Sequence, residues 1–416
     1  MAKLTVLGGS SVASPELVRV LAGAPRVAPM EIVLHGRNAE KLDIVGRVCQ
    51  RIARPPLTVL WTTDLGRALD GVDLVLVQVR VGGYRARAFD ETFPHDFGLP
   101  GEETMGPGGF ANSLRTVPTV VALARAVESR APQAWILNLT NPSSVVQLAL
   151  QRSTRLRVLG LCDSPVSMHE GVAALLGASL GDVRIDYVGM HHFGWITRVW
   201  HGGRDVTGDV LKRAGDLSWI ASPPALVRAI GALPHPYLNY VLSPGVMFQR
   251  QRGKRPRAFE LEALEADLLA GYAAAALDSA ADPLSGLGRR RAIWYAKIIA
   301  PVVEQLLGSP EAVQIVNVRN DGTVAWLPAD AVVEVPAVVG PSGARALAPG
   351  GVPPDAVALT QHNCAYESLL VDAILEQSFD KAWRAMALNL LVRDTGQARS
   401  VLERIWPHGG VALGTG

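Results

Sequence analysis

The chain has 416 residues, enough for two domains with cores of their own and more than one hydrophobic core usually supports. Apolar residues make up 49% and charged residues 19%, and no apolar run reaches the ~18 residues of a membrane span, so a soluble protein without a membrane partner is expected. A formal net charge of +2 argues against nucleic acid as a partner, and three cysteines without a CxxC pair argue against a disulfide framework or a cysteine-only zinc site. The N-terminus, MAKLTVLGGSSV, runs straight into a strand and a glycine turn without the features of a secretory signal, which predicts a cytoplasmic protein.

In chain order, the first ~165 residues alternate short apolar strands with longer helical patterns, the signature of a parallel sheet covered on both faces. Strands are predicted at Lys3–Leu7, Glu31–His35, Leu57–Thr62, Leu74–Gln78, Trp135–Asn138 and Val158–Cys162. Helices are predicted at Ser14–Leu21, Ala39–Ala53, Asn112–Ser129 and Pro142–Gln151. This defines a Rossmann-like, doubly wound α/β domain over residues 1–165. Residues 166–416 read as a mixed, largely helical α+β second domain for substrate, metal and oligomer contacts. Its strands are expected at Arg184–Met190 and Thr197–His201 and its helices near Phe259–Ala281, Arg290–Leu307 and Ser378–Arg393. Val313–Val338 alternates like antiparallel strands, and Pro341–Pro354 reads as loop. The basic stretch Arg250–Arg257 reads either as a solvated loop or as a lid over an anionic substrate.

Gly8, Gly9, Ser10 and Ser11 lie between the first strand and the first helix, where backbone amides and a helix N-terminus can receive a pyrophosphate. The turn departs from GxGxxG at Ser10. The second strand ends in Gly36-Arg37-Asn38 rather than in the acidic residue that usually accepts hydrogen bonds from an NAD ribose. Arg37 suits a 2′-phosphate, which leaves both NAD and NADP open. Gln78, Arg80, Asn138 and Asn141 fall at the carboxyl ends of strands, where such sheets bind ligands.

Four polar stretches carry a resemblance: QVRVGGYRARAFDETFPHDFGLPGEETMGPGGF from Gln78, NLTNPSS from Asn138, the Cys162-Asp163 pair, and VGMHHFGW from Val188. Their order and spacing resemble glycoside hydrolase family 4, the NAD- and metal-dependent glycosidases that include 6-phospho-α- and 6-phospho-β-glucosidases. VQIVNVRNDGTVAWLPADAVVEVPAVV extends the likeness over nearly the whole chain. The resemblance implies a lactate/malate dehydrogenase-like architecture and cleavage of a small glycoside, with or without a 6-phosphate, by oxidation. Hydride passes from the sugar 3-position to the nicotinamide, a metal holds the 2- and 3-oxygens, and a base removes the 2-proton. The aglycone is eliminated, water adds, and the hydride returns.

Carried over by motif, the resemblance makes Cys162 and His192 the ligands of Mn²⁺ or another divalent metal, although spacing alone leaves His191, where the family commonly has asparagine, equally open. Asp163 becomes the acid toward the leaving group, as in the Cys-Asp motif of the phospho-α-glucosidases. LPHPYLNYVL makes Tyr237 the base, with Tyr240 the alternative. Arg87, Glu103 and Asn141 become substrate residues. Glu102 stands where the family more often has glutamine and adds a negative charge. Family habit predicts a homodimer or homotetramer. Two other readings stand beside this one: a 2-hydroxy-acid dehydrogenase, which would need an Asp-His pair, and a cofactor-binding relative without catalysis.

Overall fold

The computed structural model describes residues 1–24, 29–278, 280, 282, 284 and 286–406. Its first six strands are β1 (Ala2–Leu7), β2 (Met30–His35), β3 (Leu57–Thr62), β4 (Leu74–Val77), β5 (Trp135–Asn138) and β6 (Arg157–Gly160), parallel in the order β6-β5-β4-β1-β2-β3. Apart from the edge strand β3, which alternates between buried and exposed residues, these runs are short and apolar (LVLV in β4 is wholly buried), as strands covered on both faces must be. On one face Leu17, Val18 and Val45 pack against Leu4, Ile32 and Leu34. On the other, Val117, Val120 and Val146 pack against Val75, Val77 and Ile136. The strand order reverses between β1 and β4, so the glycine turn after β1 opens at the crevice where doubly wound sheets hold ligands.

The remaining strands extend the same sheet. They are β7 (Val183–Met190), β8 (Phe193–His201), β9 (Arg204–Asp205), β10 (Leu233–Pro234), β11 (Ala312–Arg319), β12 (Val332–Gly340) and β13 (Gly343–Ala346). Strands β11 and β12 form an antiparallel hairpin wedged between β6 and β7, with Asn317 opposite Gly160 on one side and Glu334 opposite Gly189 on the other. A buried polar seam crosses this junction. Asn317 Nδ2 donates to Glu334 Oε1 (2.9 Å), the Tyr187 hydroxyl donates to Glu334 Oε2 (2.7 Å), and Gln147 Nε2 donates to the Asn317 carbonyl (3.1 Å). Burial pushes the Glu334 carboxyl up to about 7, against the pull of the two donors. Removing the Asn317 donor leaves a buried carboxyl half-satisfied, so Asn317→Ala should cost ~1–3 kcal/mol in urea unfolding; an unchanged midpoint would show that the seam is not a support of the junction.

Several expected elements shift. The helix expected at Asn112 begins at Gly106 and runs to Arg130, and the polar stretch before it contains a helix over Gly83–Thr92. Pro142 precedes its helix (Ser143–Ser153) rather than opening it, after a cis Asn141–Pro142 bond. The basic stretch is only partly loop, because Arg250 lies in a helix over Pro244–Gln251 and Arg257 opens another over Arg257–Leu277. The latter was expected to reach Ala281, and residues 279 and 281 lie outside the described ones. The helix expected from Arg290 starts as a π-turn at Tyr295–Ile299 and continues to Leu306; Pro301, which has no amide to donate, sits in its first regular turn. Further helices include Ser164–Leu176, Pro354–Leu375, Phe379–Leu388, which ends short of the expected Arg393, and Thr395–Ile405. Tyr366, Leu370, Met386 and Leu402 of the C-terminal helices join the core formed by Gly106–Arg130 and Ser143–Ser153. None of the helices built from described residues is long and apolar enough to cross a membrane.

Candidate active site

The site lies just beyond the carboxyl ends of the parallel strands. Cys162 stands two residues past β6, and His191 and His192 form the tight link between β7 and β8. The ligand atoms of Cys162, His191 and His192 lie within 4.8 Å of one another, and all three side chains are buried. His192 has φ 61°, a left-handed conformation that a bulky side chain adopts only under constraint and that is concentrated at functional sites. Its Nδ1 is buried without a hydrogen-bond partner among the described residues. A thiol, two imidazoles and an orphaned ring nitrogen fit a borderline divalent metal. Burial, with Glu334 and Asp163 nearby, pushes the Cys162 thiol well up, so metal binding must expel its proton. Burial and the neighbouring histidines hold His192 well below the usual imidazole range, which leaves it neutral for ligation. The three cysteines are free and buried.

Aromatic rings stack along this centre. His192 lies between His191 and Tyr237, with ring centroids 3.8 Å away on each side, and the Tyr237 plane is tilted only 6° from that of His192. His235, fully buried, flanks the stack 5.3 Å from His192; its Nδ1 accepts from the Tyr237 amide (3.2 Å) while its Nε2 has no partner among the described residues. The sequence reading missed His235, whose one signal was its place between Pro234 and Pro236. Tyr240 is set differently: its hydroxyl accepts from Gln251 Nε2 (3.1 Å), and Gln251 also clamps Gly101 through both backbone groups. Asp163 is half-buried at the start of the helix Ser164–Leu176, and burial raises its carboxyl, with Lys297 opposing and Glu170 reinforcing.

Glu103 gathers the charged groups. It pairs with Arg80 (2.5 Å) and Arg87 (3.1 Å) and is hydrogen-bonded by Asn141. Burial alone would raise its carboxyl, but the two guanidinium groups and Asn141 bring it down to about 2. Arg80, expected at the cofactor, is thus tied to the same carboxylate as Arg87. Arg87 also holds Glu91 (2.7 Å), whereas Asp90 pairs with Arg115 in the core.

Glu102 does not bring the expected negative charge. Burial, with Glu103 beside it, pushes its carboxyl up to about 8, and its Oε2 accepts from the amides of Thr104 (2.6 Å) and Met105 (2.8 Å). A carboxyl whose folded pKa is raised takes up a proton on folding, so stability falls as pH rises from ~4.5 to 8. Glu102→Gln keeps both amide bonds and should flatten that decline in thermal unfolding scans at pH 5 and pH 8; a parallel decline in the variant would contradict the assignment.

The dinucleotide turn is corrected in detail. The amides of Gly8 and Gly9 both donate to the His35 carbonyl (3.1 and 2.8 Å), and that of Ser11 donates to Gly8 (3.2 Å). The two glycine amides are thus used within the turn, and Gly8 has φ 92°, where a Cβ would fall 2.7 Å from the Gln78 carbonyl. The amides of Ser10 and Val12, without partners among the described residues, remain for a phosphate at the N-terminus of the helix Ser14–Gly23. Gln78 braces this turn, bonding Gly8 O, Ser14 Oγ and the Tyr295 hydroxyl. Asn138 is likewise consumed, since its fully buried amide bonds Thr140 and Ser143 to hold the turn before Pro142. Arg37 is exposed at the end of β2.

A dinucleotide-type sheet with a buried thiol–imidazole centre at its crevice and a tyrosine stacked on that centre defines an enzyme class that couples nicotinamide and metal chemistry. Two family models, "Family 4 glycosyl hydrolase" and its C-terminal domain, match residues 3–178 and 187–392. The chain belongs to the family 4 glycosyl hydrolases. It is 30% identical to the phospho-α-glucosidase PagL of Clostridium acetobutylicum over 96% of each chain. The 6-phospho-β-glucosidase of Thermotoga maritima, solved with manganese, NAD⁺ and glucose-6-phosphate, superposes with a TM-score of 0.87 at 28% identity over 97% of each chain. The malate dehydrogenase of Salinibacter ruber, at 16% identity and a TM-score of 0.55 over 91% of this chain and 99% of its own, shares the fold.

Proposed function

We propose that this glycosidase hydrolyses a 6-phosphorylated glucoside with NAD and a divalent metal, Mn²⁺ by analogy with the Thermotoga relative. The observation that carries the reading is the buried Cys162–His192 centre with an orphaned ring nitrogen and Tyr237 stacked against it. When bound, the nicotinamide supplies a reversible hydride acceptor, and the metal supplies positive charge for developing negative charge on sugar oxygens. Cys162 and His192 would hold the metal; Ser10 and Val12 would meet the pyrophosphate. Tyr237 removes the proton at sugar carbon two. Asp163, its carboxyl raised by burial, delivers a proton to the leaving oxygen, which favours an α-linked substrate as in the Cys-Asp motif. Arg87 and Asn141, braced on Glu103, orient the sugar. The chain divides near residue 165 into a cofactor half and a substrate half, acts in the cytoplasm, and assembles as a homodimer or homotetramer, which sedimentation would test.

The deciding assay is hydrolysis of nitrophenyl α- and β-glucosides and their 6-phosphates with NAD or NADP and Mn²⁺ under reductant, in deuterated water. Nitrophenol release without net NADH, with deuterium entering at carbon two, is expected; turnover that needs no dinucleotide would overturn the reading.

A further inference from the structure

We propose that His191 is a third protein ligand, so that the centre of this chain is a Cys162–His191–His192 set whose second imidazole shifts its metal preference toward later divalent ions. The inference rests on the proposed metal site and concerns how this chain has modified it. Where the family commonly has asparagine, a weak oxygen donor, this chain presents an imidazole whose ligand atom lies within 4.8 Å of both the Cys162 and the His192 ligand atoms. Three such atoms can share one ion.

The competing claim on His191 is the Ser143 amide, which donates to Nδ1 at 3.4 Å. That is at the long limit of a hydrogen bond, and it marks Nδ1 as the unprotonated nitrogen. Ligation through Nδ1 therefore replaces a weak contact without changing the tautomer and leaves Nε2 protonated. His191 also lines a cavity of about 20 Å³ with Asn363 and Glu367, room for one water molecule. Glu367 Oε2 and Thr104 Oγ1, of residues lining that cavity, have no hydrogen-bond partner among the described residues. A ligating histidine ordinarily donates its second N–H to a carboxylate or water, and this cavity supplies such surroundings.

Two imidazoles and a thiolate are softer than one imidazole and a thiolate completed by oxygen, and they favour Co²⁺ and Zn²⁺ over Mn²⁺ more strongly. Their consequence is read without turnover. X-ray absorption of the Co²⁺-loaded wild-type protein should resolve one sulfur and two imidazole scatterers, and His191→Asn should show one imidazole. In chelator competition, His191→Asn should weaken Co²⁺ by more than the roughly 10–100-fold that follows loss of an outer partner alone, while Mn²⁺ weakens less. A wild-type shell with one sulfur and one imidazole would overturn the third ligand while leaving the metal site standing. A Cys162→Ser protein that binds Co²⁺ as wild type does, without change in the sulfur shell, would instead sink the metal site itself. The wild-type spectrum decides the ligand count even if the asparagine variant fails to fold.

Discussion

Cys162→Ser is expected to lower kcat/KM at least ~10³-fold in the nitrophenyl assay and to weaken Mn²⁺ binding ~100-fold or more, while circular dichroism stays unchanged. The side chain is only 5% exposed and serine is nearly isosteric, so the fold has little to lose. The metal loses its one anionic protein ligand. Because burial, Glu334 and Asp163 hold the thiol protonated in the free protein, binding to the wild type must release that proton. Calorimetric titration at pH 6.5 and pH 8 should then show affinity rising with pH in the wild type and much less so in the variant. Equal Mn²⁺ affinity in the two proteins would remove Cys162 from the centre.

Tyr237→Phe should slow deuterium exchange at sugar carbon two by ~10²–10⁴, the range of a general base, and change KM only a few-fold. The contrast with Tyr240 supports the choice: Tyr240 already accepts from Gln251, whereas Tyr237 lies parallel to His192 at 3.8 Å. Burial, with Glu102 and Glu103, raises the Tyr237 phenol well above its ordinary value. Only a cation at the adjacent centre can offset this, so chelated enzyme should show no exchange either. Exchange that survives in Tyr237→Phe but vanishes in Tyr240→Phe would transfer the role.

The parallel half was legible because its strands are unbroken apolar runs and its turns carry glycine, and β2, β3 and β5 match their expected bounds within a residue. Cys162, His192, Tyr237, Asp163, Arg87, Glu103 and Asn141 were assigned through motif order, and the fold places the Cys162 thiol, the two imidazoles and the Tyr237 ring side by side. Gln78, Asn138 and the two glycines also hold the turns together, which their positions at strand ends did not reveal. The helix Pro354–Leu375 was missed because apolar residues surround it on most sides and leave no stripe to read. The continuity of the sheet was also hidden, since it depends on Asn317 and Glu334, polar residues that a sequence reading places outside a core.

That hairpin sets an order of events for a chain being synthesised. Cys162 emerges early, but within the sheet the strands that flank the histidines are joined to β6 through β11 and β12, which end at Gly340. A nascent chain stopped short of that point can form the parallel half and yet cannot complete the centre. Closure of this long-range contact is expected to be slow relative to formation of the parallel half. Some 180 residues beyond Cys162 must therefore be made before the thiol meets the imidazoles in the finished sheet.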